Sequence, residues 1–209
     1  MFYFVRTPWW LKIFSKGLVW QMPGDCKAIY LSFDDGPDPL VTPFVLDELK
    51  KYNARASFFC VGNNVVKYPQ VYERILKEGH AVGNHTFDHL NGWKTKDSEY
   101  LDNVACAKEH IDSGLFRPPY GRMRRSQQRI LSSPTFGLTT VMWTVLSGDF
   151  DPAVSPEKCY MNVTRNAKSG SIIVFHDSTK AGAKMSYALP LVLKYFSERG
   201  YRFEKIQAG

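Results

Sequence analysis

From Ala28 onward, short apolar runs rich in β-branched and aromatic residues alternate with amphipathic stretches. The runs predict strands over Ala28–Asp34, Ala56–Val61, Ala81–His85, Leu115–Arg117, Thr139–Val145, Ser171–Phe175 and Arg202–Ile206. Several are nearly continuous in apolar residues, as parallel strands buried on both faces require. Between them, apolar positions near helical spacing predict helices over Thr42–Tyr52, Pro69–Glu78, Ser98–Ser113, Pro156–Lys168 and Met185–Arg199. Proline in a first turn (Pro69, Pro156) and glycine just past an end (Gly79, Gly114, Gly200) fit helix boundaries. Strand–helix alternation of this kind implies a parallel sheet covered by helices. Seven such strands in one domain imply an α/β fold, a distorted and incomplete (β/α) barrel over residues 28–209. In a barrel of this type, chemistry lies at the C-terminal ends of the strands.

Composition narrows the class. The chain has 209 residues, 44% hydrophobic and 22% charged, which suits one soluble globular domain that needs no staples. The net charge of +7 is spread along the chain, densest at Arg122, Arg124, Arg125 and Arg129. That cluster reads as a solvated face or as a surface for an anionic polymer. With no aromatic interleaving and no nucleic-acid motif, nucleic acid is excluded as the expected partner. Cys26, Cys60, Cys106 and Cys159 form no C-x-x-C pair, so ordinary thiols in a reducing compartment are expected.

Residues 1–27 form an aromatic-rich extension carrying Phe2, Tyr3, Phe4, Trp9, Trp10, Phe14 and Trp20. It is expected to pack on the outside of the domain, with peripheral membrane contact through residues 1–20 as the functional alternative. It lacks the pattern of a cleavable signal peptide, and no run reaches the ~20 apolar residues needed to span a bilayer. The expected location is the cytoplasm or the inner membrane surface, and the expected state a monomer.

Reactive residues fall where the barrel predicts. The first strand ends in Ser32-Phe33-Asp34-Asp35-Gly36-Pro37, two adjacent carboxylates that are costly to bury without a cation. The third ends in His85-Thr86-Phe87-Asp88-His89; imidazoles four apart meet on one face of a helical turn and can grip one metal ion. One Asp and two His leave coordination positions open, as a catalytic site needs. Arg117-Pro118-Pro119-Tyr120-Gly121 follows the fourth strand, with the prolines stiffening the turn. The fifth leads from Trp143 to Asp149 and Phe150. The sixth ends in Val174-Phe175-His176-Asp177, where a histidine leaves an apolar run in the setting of a proton donor. His80 and His110 stand alone and read as structural.

The ordered set Ser-Phe-Asp-Asp-Gly-Pro, His-Thr-x-x-His, Arg-Pro-Pro-Tyr, Asp-Phe and Val-Phe-His resembles the five motifs of the NodB-type polysaccharide deacetylases, carbohydrate esterase family 4, over about Ala28 to Ile206. The resemblance implies that Asp35, His85 and His89 bind one divalent metal, usually zinc, with cobalt or manganese as alternatives. It implies Asp34 as general base, Arg117 as its partner, His176 as general acid and Asp149 as the residue orienting it. The Tyr120 N–H would help bind the oxyanion. Phe150, Val174, Pro119 and Trp143 are the candidate substrate contacts. The implied reaction is removal of N-acetyl groups from amino sugars of a peptidoglycan- or chitin-like polymer or oligomer.

The fourth motif departs from the family's Asp-x-x-Asp-Trp: Leu146 replaces the first Asp and Phe150 the Trp. Val174 stands where Leu is usual. The Phe150 and Val174 changes keep the acetyl pocket apolar and point to altered substrate preference. Two other outcomes stay open: an O-acetyl esterase, and a catalytically silent carbohydrate-binding domain.

Overall fold

The computed structural model describes residues 3–24 and 26–207; Met1, Phe2 and Asp25 of the N-terminal extension, and Ala208 and Gly209, lie outside them. Along the chain the elements are α1 (Trp9–Phe14), β1 (Ala28–Asp34), α2 (Val41–Lys51), β2 (Ser57–Cys60), α3 (Gly62–Lys67), α4 (Pro69–Lys77), β3 (Ala81–Asn84), α5 (Asp97–Lys108), β4 (Leu115–Phe116), α6 (Arg125–Leu131), β5 (Thr139–Thr140), β6 (Val145–Leu146), α7 (Pro156–Asn166), β7 (Ile172–His176), α8 (Thr179–Ser197) and β8 (Arg202–Phe203).

The strands pair in parallel in the order β5-β4-β3-β2-β1-β7-β6, and β8 also pairs with β1. The sheet curls into a half-barrel with its helices outside. Strand β1 lies at its centre. Ile29, Leu31 and Phe33 are fully buried, and Phe33 stacks on Phe58 of β2 and Phe175 of β7 at 5.0 and 6.1 Å. Helices α2, α7 and α8 cover this core through Leu46, Leu49, Val163, Leu189 and Val192. The parallel register puts every strand's C-terminal end on one rim.

The predicted strand over Thr139–Val145 is two strands. Thr139–Thr140 pairs with β4, whereas Val145–Leu146 pairs with β7 at the other end of the sheet. Residues 141–144 cross the gap between the two edges. The N-terminal segment lies along this seam. Val19 N–H donates to Thr140 O, Met142 N–H to Val19 O, Thr7 N–H to Thr144 O and Leu146 N–H to Val5 O, all at 2.7–2.9 Å. Helix α5 stops at Lys108, short of the predicted Ser113, because Ser113 Oγ donates to Val82 O and ties the following loop to β3. Helix α8 begins at Thr179, before the predicted Met185; Asp38 Oδ2 accepts from both Thr179 N–H and Oγ–H. The short helices α1, α3 and α6 carry too few turns to show a period. The four cysteines are free, with Cys60 and Cys159 buried. Among the described residues no helix is long and apolar enough to cross a membrane.

His80 is buried, and its Nδ1 accepts the Ala56 N–H at 3.2 Å. The fold therefore selects the unprotonated ring. Burial pushes its pKa down to about 4, helped by nearby Arg55, with Glu78 opposing. Because the folded value lies below the unfolded ~6.5, the unfolded chain takes up a proton first as pH falls. Stability present above ~6.5 is thus lost progressively toward pH 4. In urea denaturation of the metal-free protein, acidification from about pH 7 to about pH 5 is expected to cost the wild type about 1–2 kcal/mol more than His80→Gln, whose amide oxygen can still accept. Equal losses would remove His80 as the cause.

Candidate active site

The strand ends set the site. Asp34 of β1 and His176 of β7 occupy paired register positions, so adjacent parallel strands carry both side chains to the same side of the rim. Asp34 Oδ1 accepts from Arg117 Nη1 at 2.7 Å, in a pair where Arg117 is fully buried and Asp34 nearly so. Arg117 also donates to Ser32 Oγ and to the carbonyls of Val141 and Met142 at 2.8–3.1 Å, and lies over the Phe59 ring at 3.9 Å. Burial lowers its pKa and Asp34 offsets this; the guanidinium stays charged regardless.

Next to this pair, Asp35, His85 and His89 bring one potential ligand atom each to within 4.8 Å of one another. Asp35 Oδ1 lies 3.0 Å from His89 Nε2 and 3.6 Å from His85 Nε2. The His85 Nδ1 contacts Arg117 O at 2.7 Å, which assigns it the proton and leaves the Nε2 lone pair facing the cluster. Burial lowers the His85 pKa to about 4, so the ring is neutral, the form that binds metals. Asp35 is held below the usual carboxylate range: burial opposes this, and the His89 hydrogen bond and the His176 charge outweigh it. One carboxylate and two imidazoles on an open rim suit a zinc-like divalent ion. The histidines do not sit on a helical turn. They follow β3 in a loop whose Thr86 and His89 have φ of 63° and 57°. Asn84 Oδ1 accepts from Thr86 N–H, and Asn103 Oδ1 from Phe87 and Asp88 N–H, fixing that path.

On β7, beside Asp34, His176 Nδ1 and backbone N–H both contact the buried Asp149 carboxylate, at 2.8 and 2.7 Å. Burial works against a charged ring, but Asp149, with Asp35 and Asp34 beyond, pushes the His176 pKa up to about 10. The ring is a cation at neutral pH.

These groups open into a cavity of about 620 Å³. Trp143, Phe150, Val174 and Tyr120 also line it, so every sequence-predicted residue except the fully buried pair-holders Arg117 and Asp149, and Pro119, reaches the wall. Pro119 is buried beneath the turn that presents Tyr120. Leu146, standing where the family motif has an Asp, adds apolar wall. Three contributors escaped the sequence. Tyr3 packs its ring 5.1 Å from Phe150, a contact between residues far apart in the sequence. Trp93 lines the mouth and lies under Arg122 at 5.1 Å. Asp177 is buried and accepts from Gly36 N–H and Thr42 Oγ–H at 3.2 and 2.6 Å. A Cβ on Gly36 would lie 2.1 Å from Asp177 Oδ2, which explains the glycine.

The family model described as polysaccharide deacetylase matches residues 21–139. The chain belongs to the polysaccharide deacetylase family. A peptidoglycan-N-acetylglucosamine deacetylase of Bacillus cereus is 35% identical over 192 residues, 89% of each chain. A chitooligosaccharide deacetylase of Azorhizobium caulinodans is 37% identical over 158 residues, 72% of this chain and 74% of that one. Among solved structures, the Bc1960 peptidoglycan N-acetylglucosamine deacetylase in complex with 4-naphthalen-1-yl-N-oxidanyl-benzamide superposes with a TM-score of 0.86 at 30% identity, over 96% of this chain and 95% of that one. A family 4 pseudoenzyme of Bacillus anthracis shares the fold at TM-score 0.78 and 23% identity, over 94% of this chain and 69% of that one. Within this family of hydrolases the fold alone does not fix activity, so the reading of this polysaccharide deacetylase rests on its site.

Replacing Arg117 by Met should destabilise the protein by about 3–5 kcal/mol, because it leaves a buried carboxylate and two carbonyls without their donor. Chemical denaturation checks this. A loss below about 1 kcal/mol would mean that Asp34 is solvated in the folded state.

Proposed function

We propose that the protein hydrolyses the N-acetyl group of amino sugars in a peptidoglycan- or chitin-like polymer or oligomer, the substrates named for its relatives. The observation that carries this reading is the juxtaposition of Asp34 and His176 at paired strand positions. Each is tied to a buried partner of opposite charge, and the Asp35–His85–His89 cluster lies beside them.

Asp35, His85 and His89 would hold one divalent ion, zinc or alternatively cobalt or manganese. Such an ion would supply Lewis acidity toward the acetyl carbonyl and make a water acidic enough to attack near neutral pH. Asp34 takes the proton of the attacking water, and Arg117 keeps its carboxylate aimed at the rim. The Tyr120 N–H, presented from a left-handed residue, donates to the developing oxyanion. His176 protonates the departing nitrogen, since an amine leaves badly as an anion. Asp149 holds that ring charged and turned toward the cavity. Leu146, Phe150, Val174 and Trp143 form the apolar wall that would receive the acetyl methyl. The presence of both proton-transfer groups and all three ligand groups in one cavity weighs against a silent binding domain.

Acetate release from N-acetylglucosamine oligomers is the direct test. Activity should vanish on chelation, return with zinc or cobalt, and fall about 10²–10⁴-fold in Asp34→Ala. No release from the metal-loaded wild type would sink the amide reading. Acetyl esters would then discriminate: an alkoxide leaves unaided, so an esterase would tolerate His176→Ala.

Asp149→Asn removes the charge that raises the His176 pKa. The acid form then persists over a shorter range, and the alkaline limb of kcat/KM should move down by about 1–3 pH units. A limb that stays in place would exclude His176 as the titrating acid.

A further inference from the structure

Helix α1 buries none of its residues. Trp9, Phe14, Ile13 and Trp10 are 73, 72, 58 and 44% exposed, and Phe4 beside them 42%. These are five of the twelve large apolar side chains exposed among the described residues. The segment from Tyr3 to Gly24 contains no acidic residue and carries Arg6, Lys12 and Lys16. Its placement is firm: Thr7 and Val19 hold its two flanks to the seam, and Lys12 Nζ donates to Gln21 Oε1 at 3.0 Å. Further cations gather round it. Burial lowers the Lys12 pKa, and the nearby charges of Lys168 and Arg6 add to this. Gln128 Nε2 donates to Lys16 O, which brings α6, with exposed Arg125 and Arg129, alongside.

We propose that this face docks on an anionic phospholipid surface. Indole and phenyl rings settle at the headgroup boundary, with lysine and arginine reaching the phosphates beside them. A second copy of the chain fits poorly, because a self-paired contact would set cation against cation with no acid to answer. A soluble polyanion would engage the cations and leave the exposed rings in water. Since no helix among the described residues is long and apolar enough to cross a membrane, the contact lies on the surface. The docking is independent of the reaction assigned to the cavity.

Cosedimentation of the full chain with phosphatidylcholine vesicles, with and without phosphatidylglycerol, tests this. Binding is expected only with phosphatidylglycerol, to fall at least about tenfold in Trp9→Ala/Phe14→Ala and in Lys16→Glu/Lys168→Glu, and to weaken with salt. All four positions are exposed and outside the cavity wall, so both variants should keep the wild-type melting temperature and acetate release from soluble oligomers. Three results would overturn the proposal: wild type left in the supernatant with anionic vesicles, equal binding to neutral vesicles, or a wild-type dimer in sedimentation velocity that Trp9→Ala/Phe14→Ala dissolves.

Discussion

The buried Arg117–Asp34 ion pair is the contact on which the rest of the site depends. A guanidinium with no access to water must find acceptors in several directions, and Arg117 finds them on Asp34 and Ser32 of β1 and on the crossing residues Val141 and Met142. It thereby joins the centre of the sheet to the strip that spans its open side. Its own carbonyl sets the His85 tautomer. One residue thus orients a carboxylate, fixes a ring and pins the half-barrel's gap. An isolated ion pair of this depth would not repay its desolvation; only the complete set of acceptors makes the burial tolerable.

Strain is concentrated around the same rim. Among the described residues five non-glycine positions have positive φ, and Asp35, Thr86, His89 and Tyr120 are four of them. Such conformations cost on the order of 1–3 kcal/mol each and persist where surrounding contacts over-determine them. Here the contacts are visible: the Asp177 clamp behind the Asp35 turn, the Asn84 and Asn103 caps under the histidine loop, and the two prolines before Tyr120. The fold places its energy in aiming these groups rather than in relaxing them.

How much of this was legible in the sequence follows from the same physics. Strands β1, β2 and β7 are central and buried on both faces, so their near-continuous apolar runs marked them within a residue or so. Thr139–Val145 has the same apolar look, yet it splits between two sheet edges, because pairing partners are a tertiary matter that periodicity does not carry. The spacing of His85 and His89 pointed to one shared ligand but implied a helical turn; side-chain hydrogen bonds from Asn84 and Asn103 impose a loop instead. The resemblance to the family motifs marked the reactive residues. Tyr3 and Asp177 were invisible because their roles arise only from contacts more than a hundred residues away.

The seam has a consequence for the solution behaviour of the protein. A curled sheet that does not close leaves β5 and β6 as two edges, and open edges are templates for pairing between molecules. The segment around Val5, Thr7 and Val19 occupies backbone groups of Thr140, Met142, Thr144 and Leu146 at both edges at once. It serves as a cover against intermolecular strand addition. Were it to peel away, the first failure would be clumping of otherwise well-packed molecules, with the hydrophobic core still intact inside each.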